Sequence, residues 1–399
     1  MALIAFIQSY PYEADYGGDP EYIHRLARRL KRRGHDCHFR VTDMTRGRSM
    51  PFFRSPYAIE SYSSYRMRNG VRIGRVVACL DPRFSLRVLA RKLGTQMAAT
   101  QPGASEFSEV EVAWIRKELR DLGFQVAVLC FGAVRMAPML RDSGPRIIGL
   151  PSIIPGRTLG LGQDTDAIPE WFLDAARACD VIAANIDDDA RALAQALPGA
   201  DVVVVGMGST AQFAELELMD GGQRLLFVGN DTPFNRSGIA WFLAEAWPRI
   251  IADLPSARLR VVGRVVQSLG PVPKGVEAVG PVGDLAAEYR KAQVVVAPLI
   301  EGTASVKTKV AEAISFGRAI VTTRVGVDPA HPNQLDLAGF VADDGNTFAD
   351  RAIELLRDPV LLAEKSRGAR VVFERFFSED AAYGAVEERI RRFEEIRKR

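Results

Sequence analysis

Two series of short apolar runs, each run followed by an amphipathic stretch, leave few folds open to this chain. In the first series the runs fall at residues 2–7, 37–41, 126–131, 146–150, 181–184 and 201–205. In the second they fall at 225–228, 258–262, 276–279, 294–297 and 319–322. These runs are nearly continuous in Val, Ile, Leu and Ala and show little alternation, which is how strands buried on both faces of a parallel sheet read. Between them lie helical stretches. Residues 20–33 carry Ile23, Leu26, Ala27 and Leu30 on one face and stop at Gly34, and 109–122, 237–253, 285–292 and 306–316 behave similarly. The pattern predicts an α/β protein of two doubly wound, Rossmann-like domains. Residues 206–222, polar and glycine-containing, read as the linker. We therefore expect domains at 1–207 and 208–375, with 376–399 forming one charged helix long enough to reach back across the boundary. Residues 44–108, rich in Arg, Ser and Tyr, read as loop-like.

Composition removes several classes. The 399 residues are 47% hydrophobic and 25% charged, an ordinary globular mix. No charge-free stretch is longer than 13 residues, short of the roughly 18 a membrane span needs, and 147–156 is among the most apolar. The apolar start has no basic flank and reads as a first strand rather than a signal peptide. Cys37, Cys79, Cys130 and Cys179 form no CxxC pair, so buried free thiols in a reducing cytosol are expected, not a zinc site or disulfides. Charge is uneven: residues 1–150 hold 24 basic against 14 acidic side chains, and 18 of those basic residues lie in 25–92 beside only 4 acidic ones. Such a segment attracts an anionic partner, whether an anionic membrane surface on the cytoplasmic side, a lipid-phosphate, an acidic glycan or nucleic acid; a solvated basic face with no partner gives the same counts. No zinc-finger, helix-turn-helix or RNP-type pattern supports nucleic acid as a partner.

Most motif-like stretches are bland. Gly160–Gly162 and Gly206–Gly208 lack the third glycine and the strand-turn-helix frame of a dinucleotide fingerprint, and no Walker loop or GxSxG elbow occurs. Asp187-Asp188-Asp189 resembles an acidic metal-binding motif, but it follows an apolar run and precedes a helical stretch. Asp187 therefore reads as an N-cap with first-turn carboxylates that suit the helix dipole. His24, His35, His38 and His331 show no metal-ligand spacing. Residues 297–317 differ. A strand ends at Pro298, small residues follow, and a helix begins near Ser305 with Lys307 and Lys309 in its first turn or so, where the helix dipole disfavours cations. Amides at the helix start and two lysines suit an anionic ligand, and Glu312 could accept hydrogen bonds from a ribose diol. An ordinary strand-loop-helix with surface lysines fits the same residues.

These residues carry a resemblance. Gly302 to Gly317, with Lys307, Lys309, Glu312-Ala313 and Gly317, resembles the donor-binding segment of retaining GT-B glycosyltransferases of the group 1 superfamily. Leu225 to Gly229, Asn235, Trp241-Phe-Leu and Leu259 to Gly263 are similar to the opening of that family's C-terminal domain. Gly17-Gly18, Leu26-Ala27 and Arg33-Gly34-His35 resemble its glycine loop and first helix. The resemblance implies a GT-B fold, two Rossmann-like domains facing across a cleft with the last helix crossing back. It also implies transfer of a sugar from a nucleotide-sugar donor to a glycan or lipid-linked acceptor, with retention and with no metal or other cofactor. Glu312 would hold the ribose; Lys307 and the amides near Ser305 would meet the diphosphate, Gly302, Thr303 and Lys309 would belong to the same donor-binding segment, and Arg236 would add a second phosphate-binding cation. Val282 and Gly283 would lie near the base, and Gly17 and Gly18 would approach the diphosphate and acceptor.

The sequence also departs from the family pattern. Many members carry a glutamate eight residues before the ribose-binding one, where this chain has Ala304; Glu301, three residues earlier, is the substitute candidate. The apolar run at 126–131 leads into Gly132-Ala133, where relatives often have a histidine or an acid, so no catalytic residue is assigned. These departures favour a second reading, a catalytically silent nucleotide- or glycan-binding subunit; a sugar-nucleotide epimerase on the same fold is a third, and the missing histidine and acid count against it.

Overall fold

The computed structural model describes residues 1–9, 18–43, 52–54, 64–73, 76–80, 107–151, 154–160, 165–213, 223–303, 307–329 and 331–398. Gly17, Ser305, Ala304, much of the basic segment and the end of the expected linker lie outside them. In chain order the strands of the first half are β1 Leu3–Gln8, β2 Asp36–Val41, β3 Phe52–Arg54, β4 Ser64–Met67, β5 Gly70–Ile73, β6 Val76–Cys79, β7 Val126–Cys130, β8 Arg146–Leu150, β9 Arg157–Gly160, β10 Thr165–Asp166, β11 Val181–Ala184 and β12 Val202–Val204. The second half adds β13 Arg224–Val228, β14 Arg258–Val262, β15 Val276–Gly280, β16 Val294–Ala297, β17 Glu301–Thr303, β18 Ala319–Thr322 and β19 Gly339–Val341.

Two parallel sheets carry the architecture. The first runs β12-β11-β8-β7-β1-β2-β4 and the second β15-β14-β13-β16-β18-β19. Each has apolar side chains buried on both faces, Ile4, Phe6 and Val128 on one side of the first sheet and Ala5, Ile7 and Leu129 on the other. That explains why the strands read as unbroken apolar runs. Strand order reverses between β1 and β7 and again between β13 and β16. Ligands of open α/β sheets bind beyond the carboxyl ends of strands at such reversals.

The last helix, Glu379–Lys398, leaves the second sheet and packs on the first. Its Ala382, Tyr383, Val386 and Ile390 are buried with Tyr22, Ile23 and Leu26 of helix Gly18–Arg32. Arg29, itself buried, donates to Glu387 at 2.5 Å and Asp380 at 2.6 Å. The crossing-back helix expected from sequence is present.

Several local readings need correction. Helix Asp187–Ala196 has Ile186 at its N-cap, and Asp187 makes no capping bond. The cap comes from across the boundary: the carboxylate of Asp328 accepts from the amides of Asp187 (2.9 Å) and Asp188 (3.3 Å). Helix Thr308–Ser315 starts later than Ser305. Helix Pro233–Trp241 starts earlier than Ser237, because the hydroxyl of Thr232 accepts from the amide of Asn235 and Pro233 opens the first turn. Residues 44–108 contain β3 to β6, of which β4 extends the first sheet beside β2.

Candidate functional site

The reversal between β13 and β16 brings the sequence-predicted residues together from three helices. Helix Pro233–Trp241 follows β13, and Gly238 permits its close approach to the end of β16: a Cβ there would lie 2.1 Å from the carbonyl oxygen of Pro298. This seats Asn235 over the carboxyl end of β13. Lys309, in the first turn of helix Thr308–Ser315, donates to Asn235 Oδ1 and lies 4.5 Å from the centroid of the Phe227 ring. It is 8% exposed, and among the described residues no carboxylate lies within ion-pair distance of it. A buried ammonium held by a neutral amide and a ring face is poorly compensated. Burial therefore pulls its pKa down to about 7, against the opposing pull of Glu312.

Lys307 stands one residue before the same helix in extended conformation. Its Nζ would be 3.2 Å from a Cβ added to Gly302, so it lies along the backbone of β17. Burial lowers its pKa to about 8, and the Asp189 carboxylate opposes that shift. Glu312, a turn farther on, is fixed by Tyr289, whose hydroxyl donates to Oε2 at 3.1 Å. Tyr289 is wholly buried and stacked on Phe316, with ring centroids 4.4 Å apart. Burial raises the Glu312 pKa, while Tyr289, Arg25 and Lys309 hold it down. Arg25 belongs to the first domain's opening helix and bonds the carbonyl of Gly208 at 3.2 Å.

The loop residues are placed by an exchange between the two halves. β17 pairs antiparallel with β9, matching Glu301 to Gly160, Gly302 to Leu159 and Thr303 to Thr158. The three-stranded sheet β10-β9-β17 thus fixes Gly302 and Thr303 beside Lys307. Glu301 is exposed and accepts from the Ser237 hydroxyl at 3.0 Å. Arg236 is engaged elsewhere: it pairs with Asp231 at 2.9 Å, an oxygen that also accepts from Ser268. Val282 and Gly283 lie between β15 and helix Leu285–Lys291, which carries Tyr289. Gly18 opens helix Gly18–Arg32.

Asp187, Asp328 and His331 also meet, with one ligand atom from each lying within 4.8 Å of the others. The oxygens of Asp328 already accept the two helix amides, and Asp187 pairs with His331 Nε2 at 3.1 Å. This is a polar junction between the halves of the chain.

Residues 222–358 match the family model described as glycosyl transferases group 1. The matched segment contains β13 to β19 and helix Gly345–Arg357. Likeness of fold to solved structures extends through the whole chain. TarM of S. aureus superposes with a TM-score of 0.69 at 9% identity, covering 98% of this chain and 99% of TarM. Sucrose-phosphate synthase of Thermosynechococcus elongatus gives 0.65 at 16% identity, covering 98% and 99%. HepE of Anabaena, solved with UDP, gives 0.63 at 12% identity, covering 97% and 99%. No curated protein matches the chain by sequence. The architecture is GT-B, two Rossmann-like domains with the last helix returning to the first.

The sequence offered Lys307, Lys309 and Glu312 as candidates and gave no role to Tyr289 or Arg157. Tyr289 lies 23 positions before its partner, and its spacing carries no local signal. Replacing it with phenylalanine removes one hydrogen bond to a carboxylate and little volume. If Glu312 holds the donor ribose as the resemblance implies, Tyr289→Phe should weaken nucleoside diphosphate binding roughly fivefold, about 1 kcal/mol, in calorimetric titration.

Proposed function

We propose that this chain is a retaining glycosyltransferase that moves a sugar from a nucleotide-sugar donor to a glycan or lipid-linked acceptor, in cell-surface polysaccharide or glycolipid synthesis. The observation that carries the reading is Lys309: a buried ammonium with a neutral partner, beside Lys307 and a Tyr-anchored Glu312, at the carboxyl ends of β13 and β16. A nucleoside diphosphate answers each feature. Its phosphates supply the negative charge that Lys309 lacks, and its ribose diol can donate to the Glu312 carboxylate. The two lysines would stabilise the charge that develops on the leaving diphosphate, with no metal required for that task. Alignment of donor and acceptor in the cleft would supply much of the remaining rate. TarM and HepE, which share the fold, were both solved with UDP.

Calorimetric titration with UDP, GDP, ADP, CMP and dTDP tests the donor site. Selective binding is expected, weakened tenfold or more by Glu312→Ala, with sugar transfer then sought using the matching donor. A folded sample that binds none of the five would replace this reading with that of a non-catalytic glycan-binding subunit, which Ala304 and Gly132-Ala133 favour.

A further inference from the structure

The three aspartates that open helix Asp187–Ala196 go to tertiary contacts. Asp187 pairs with His331 of the second half at 3.1 Å. Asp188 and Asp189 both meet Arg157. Its Nη2 donates to Asp188 Oδ2 at 2.6 Å, and its Nη1 donates to Asp189 Oδ1 at 2.7 Å and to the Asp188 carbonyl at 3.0 Å. Asp189 has no exposed surface and Arg157 is 5% exposed. Buried ion pairs add little net stability, because desolvation offsets their attraction. What a forked guanidinium does fix is position, since it meets its acceptors in one planar geometry.

The element positioned here is β9, which Arg157 begins. Gly156, the residue before it, has φ +81°, and a Cβ there would lie 1.8 Å from the carbonyl oxygen of Ala167, so the chain enters β9 in a conformation that favours glycine. Thr158, the residue after it, pairs with Thr303 of β17, and Leu159 and Gly160 pair with Gly302 and Glu301. On its other side β9 pairs with β10. Among the described residues β17 has no strand partner except β9. From the second half it meets Ser237, whose hydroxyl donates to Glu301 at 3.0 Å, and Lys307, whose Nζ lies 3.2 Å from the place of a Cβ on Gly302. The strand that carries Gly302 and Thr303 is therefore ordered by the first domain, although its residues belong to the second.

We propose that Arg157 is a positioning residue for the donor site: anchored on Asp188 and Asp189, it holds β9 where β17 must form, so that the first domain completes the nucleotide-sugar pocket of the second. Donor binding and contact between the domains are then linked, and the linkage is reciprocal. Whatever the β9–β17 ladder contributes to donor affinity, the donor contributes to the ladder. That the pocket takes a nucleoside diphosphate rests on the proposed function; the anchoring of β17 through β9 does not.

Hydrogen exchange of the full-length protein tests both parts, read by mass spectrometry on peptides covering β9, β16, β17 and helix Asp187–Ala196. In the wild type β17 should exchange slowly, and UDP should slow both β17 and β9 further. Arg157→Lys keeps the charge but cannot fork between two carboxylates. It should speed exchange at β9 and β17 severalfold, leave β16 unchanged and weaken UDP binding about fivefold or more. Leu159→Pro, which leaves the Arg157 contacts in place and puts proline into the ladder, should do the same. A role confined to seating the helix would speed exchange at Asp187–Ala196 and spare β17, and that result overturns the proposal. So does faster exchange at β17 with unchanged UDP affinity. If neither variant folds, wild-type β17 amides that exchange like free peptide overturn it, and protected amides that UDP slows further support it. A wild type that binds no nucleotide sinks the donor-site reading, while the exchange of β17 in Arg157→Lys still decides whether the anchor orders that strand.

Discussion

Replacing Lys307 by alanine is expected to weaken UDP binding at pH 7 by tenfold to a hundredfold, since a charged hydrogen bond in a buried site contributes about 1.5–3 kcal/mol. The pH profile is the more telling part. Burial holds Lys307 near 8 and Lys309 near 7, so both ammonium groups are lost over a range where ordinary lysines stay charged. UDP affinity of the wild type should therefore fall as pH rises from 7 to 9, and Lys307→Ala should flatten the upper part of that fall. Stability without ligand runs in the opposite direction. The folded-state pKa of each lysine lies below its unfolded value of about 10.4, so between 7 or 8 and 10.4 the unfolded chain binds more protons. These two groups thus make the apo protein more stable as pH rises through that window. Asp189, raised to about 7 from an unfolded value near 3.9, acts with the opposite sign between pH 4 and 7, below the lysine window. Thermal unfolding at pH 7 and 9, with and without UDP, should show the ligand-induced increment shrinking with pH in the wild type. In Lys307→Ala that dependence should be reduced. A wild-type affinity that does not change from pH 7 to 9 would argue against the lysines as its source.

How far the sequence revealed this arrangement depended on the range of the forces involved. Leu225, Phe227, Val294 and Val296 lie in a buried parallel sheet, and burial on both faces writes itself directly into composition. Lys307, Lys309 and Glu312 could be grouped from sequence because they lie within six residues at the start of one short helix. β17 was not. Its three residues, Glu301 to Thr303, form a strand because β9 offers a partner from the other half of the chain, and their own composition reads as loop. The cap on helix Asp187–Ala196 was misread for a related reason: three aspartates in sequence suggest self-capping, whereas the amides are satisfied by Asp328, 141 positions away. Arg236, expected as a phosphate-binding cation, pairs with Asp231, whose Oδ1 also accepts from Ser268. Pro233, by contrast, is a local signal that was present and overlooked. Thr232 followed by proline is a strong helix start, and it moves the onset four residues ahead of Ser237.

Tyr383→Ala is expected to produce the largest loss of stability of any substitution considered above. Tyr383 is fully buried between helix Gly18–Arg32 and the segment that joins the two domains, and its ring tilts against Tyr22 at 6.4 Å. Its hydroxyl donates to the carbonyl of Gly208 at 3.1 Å, and a Cβ on Gly208 would lie 2.4 Å from the ring, so that connection is moulded around the tyrosine. Truncation removes a large apolar side chain, leaves a cavity and strips a buried carbonyl of a donor, a combination that costs about 3–5 kcal/mol. For a domain of roughly 200 residues this corresponds to a fall in Tm of about 6–20 °C. Tyr383→Phe removes only the hydroxyl and should cost about 1 kcal/mol, separating packing from hydrogen bonding. The position also bears on the cleft. Gly208 accepts from Arg25 as well, and Arg25 is one of the cations that oppose the burial-driven rise of the Glu312 pKa. Loosening this connection should therefore weaken UDP binding in Tyr383→Ala at temperatures where the variant is still folded, through Glu312 rather than the lysines. Unchanged affinity in a destabilised but folded Tyr383→Ala protein would show that the returning helix serves the first domain alone.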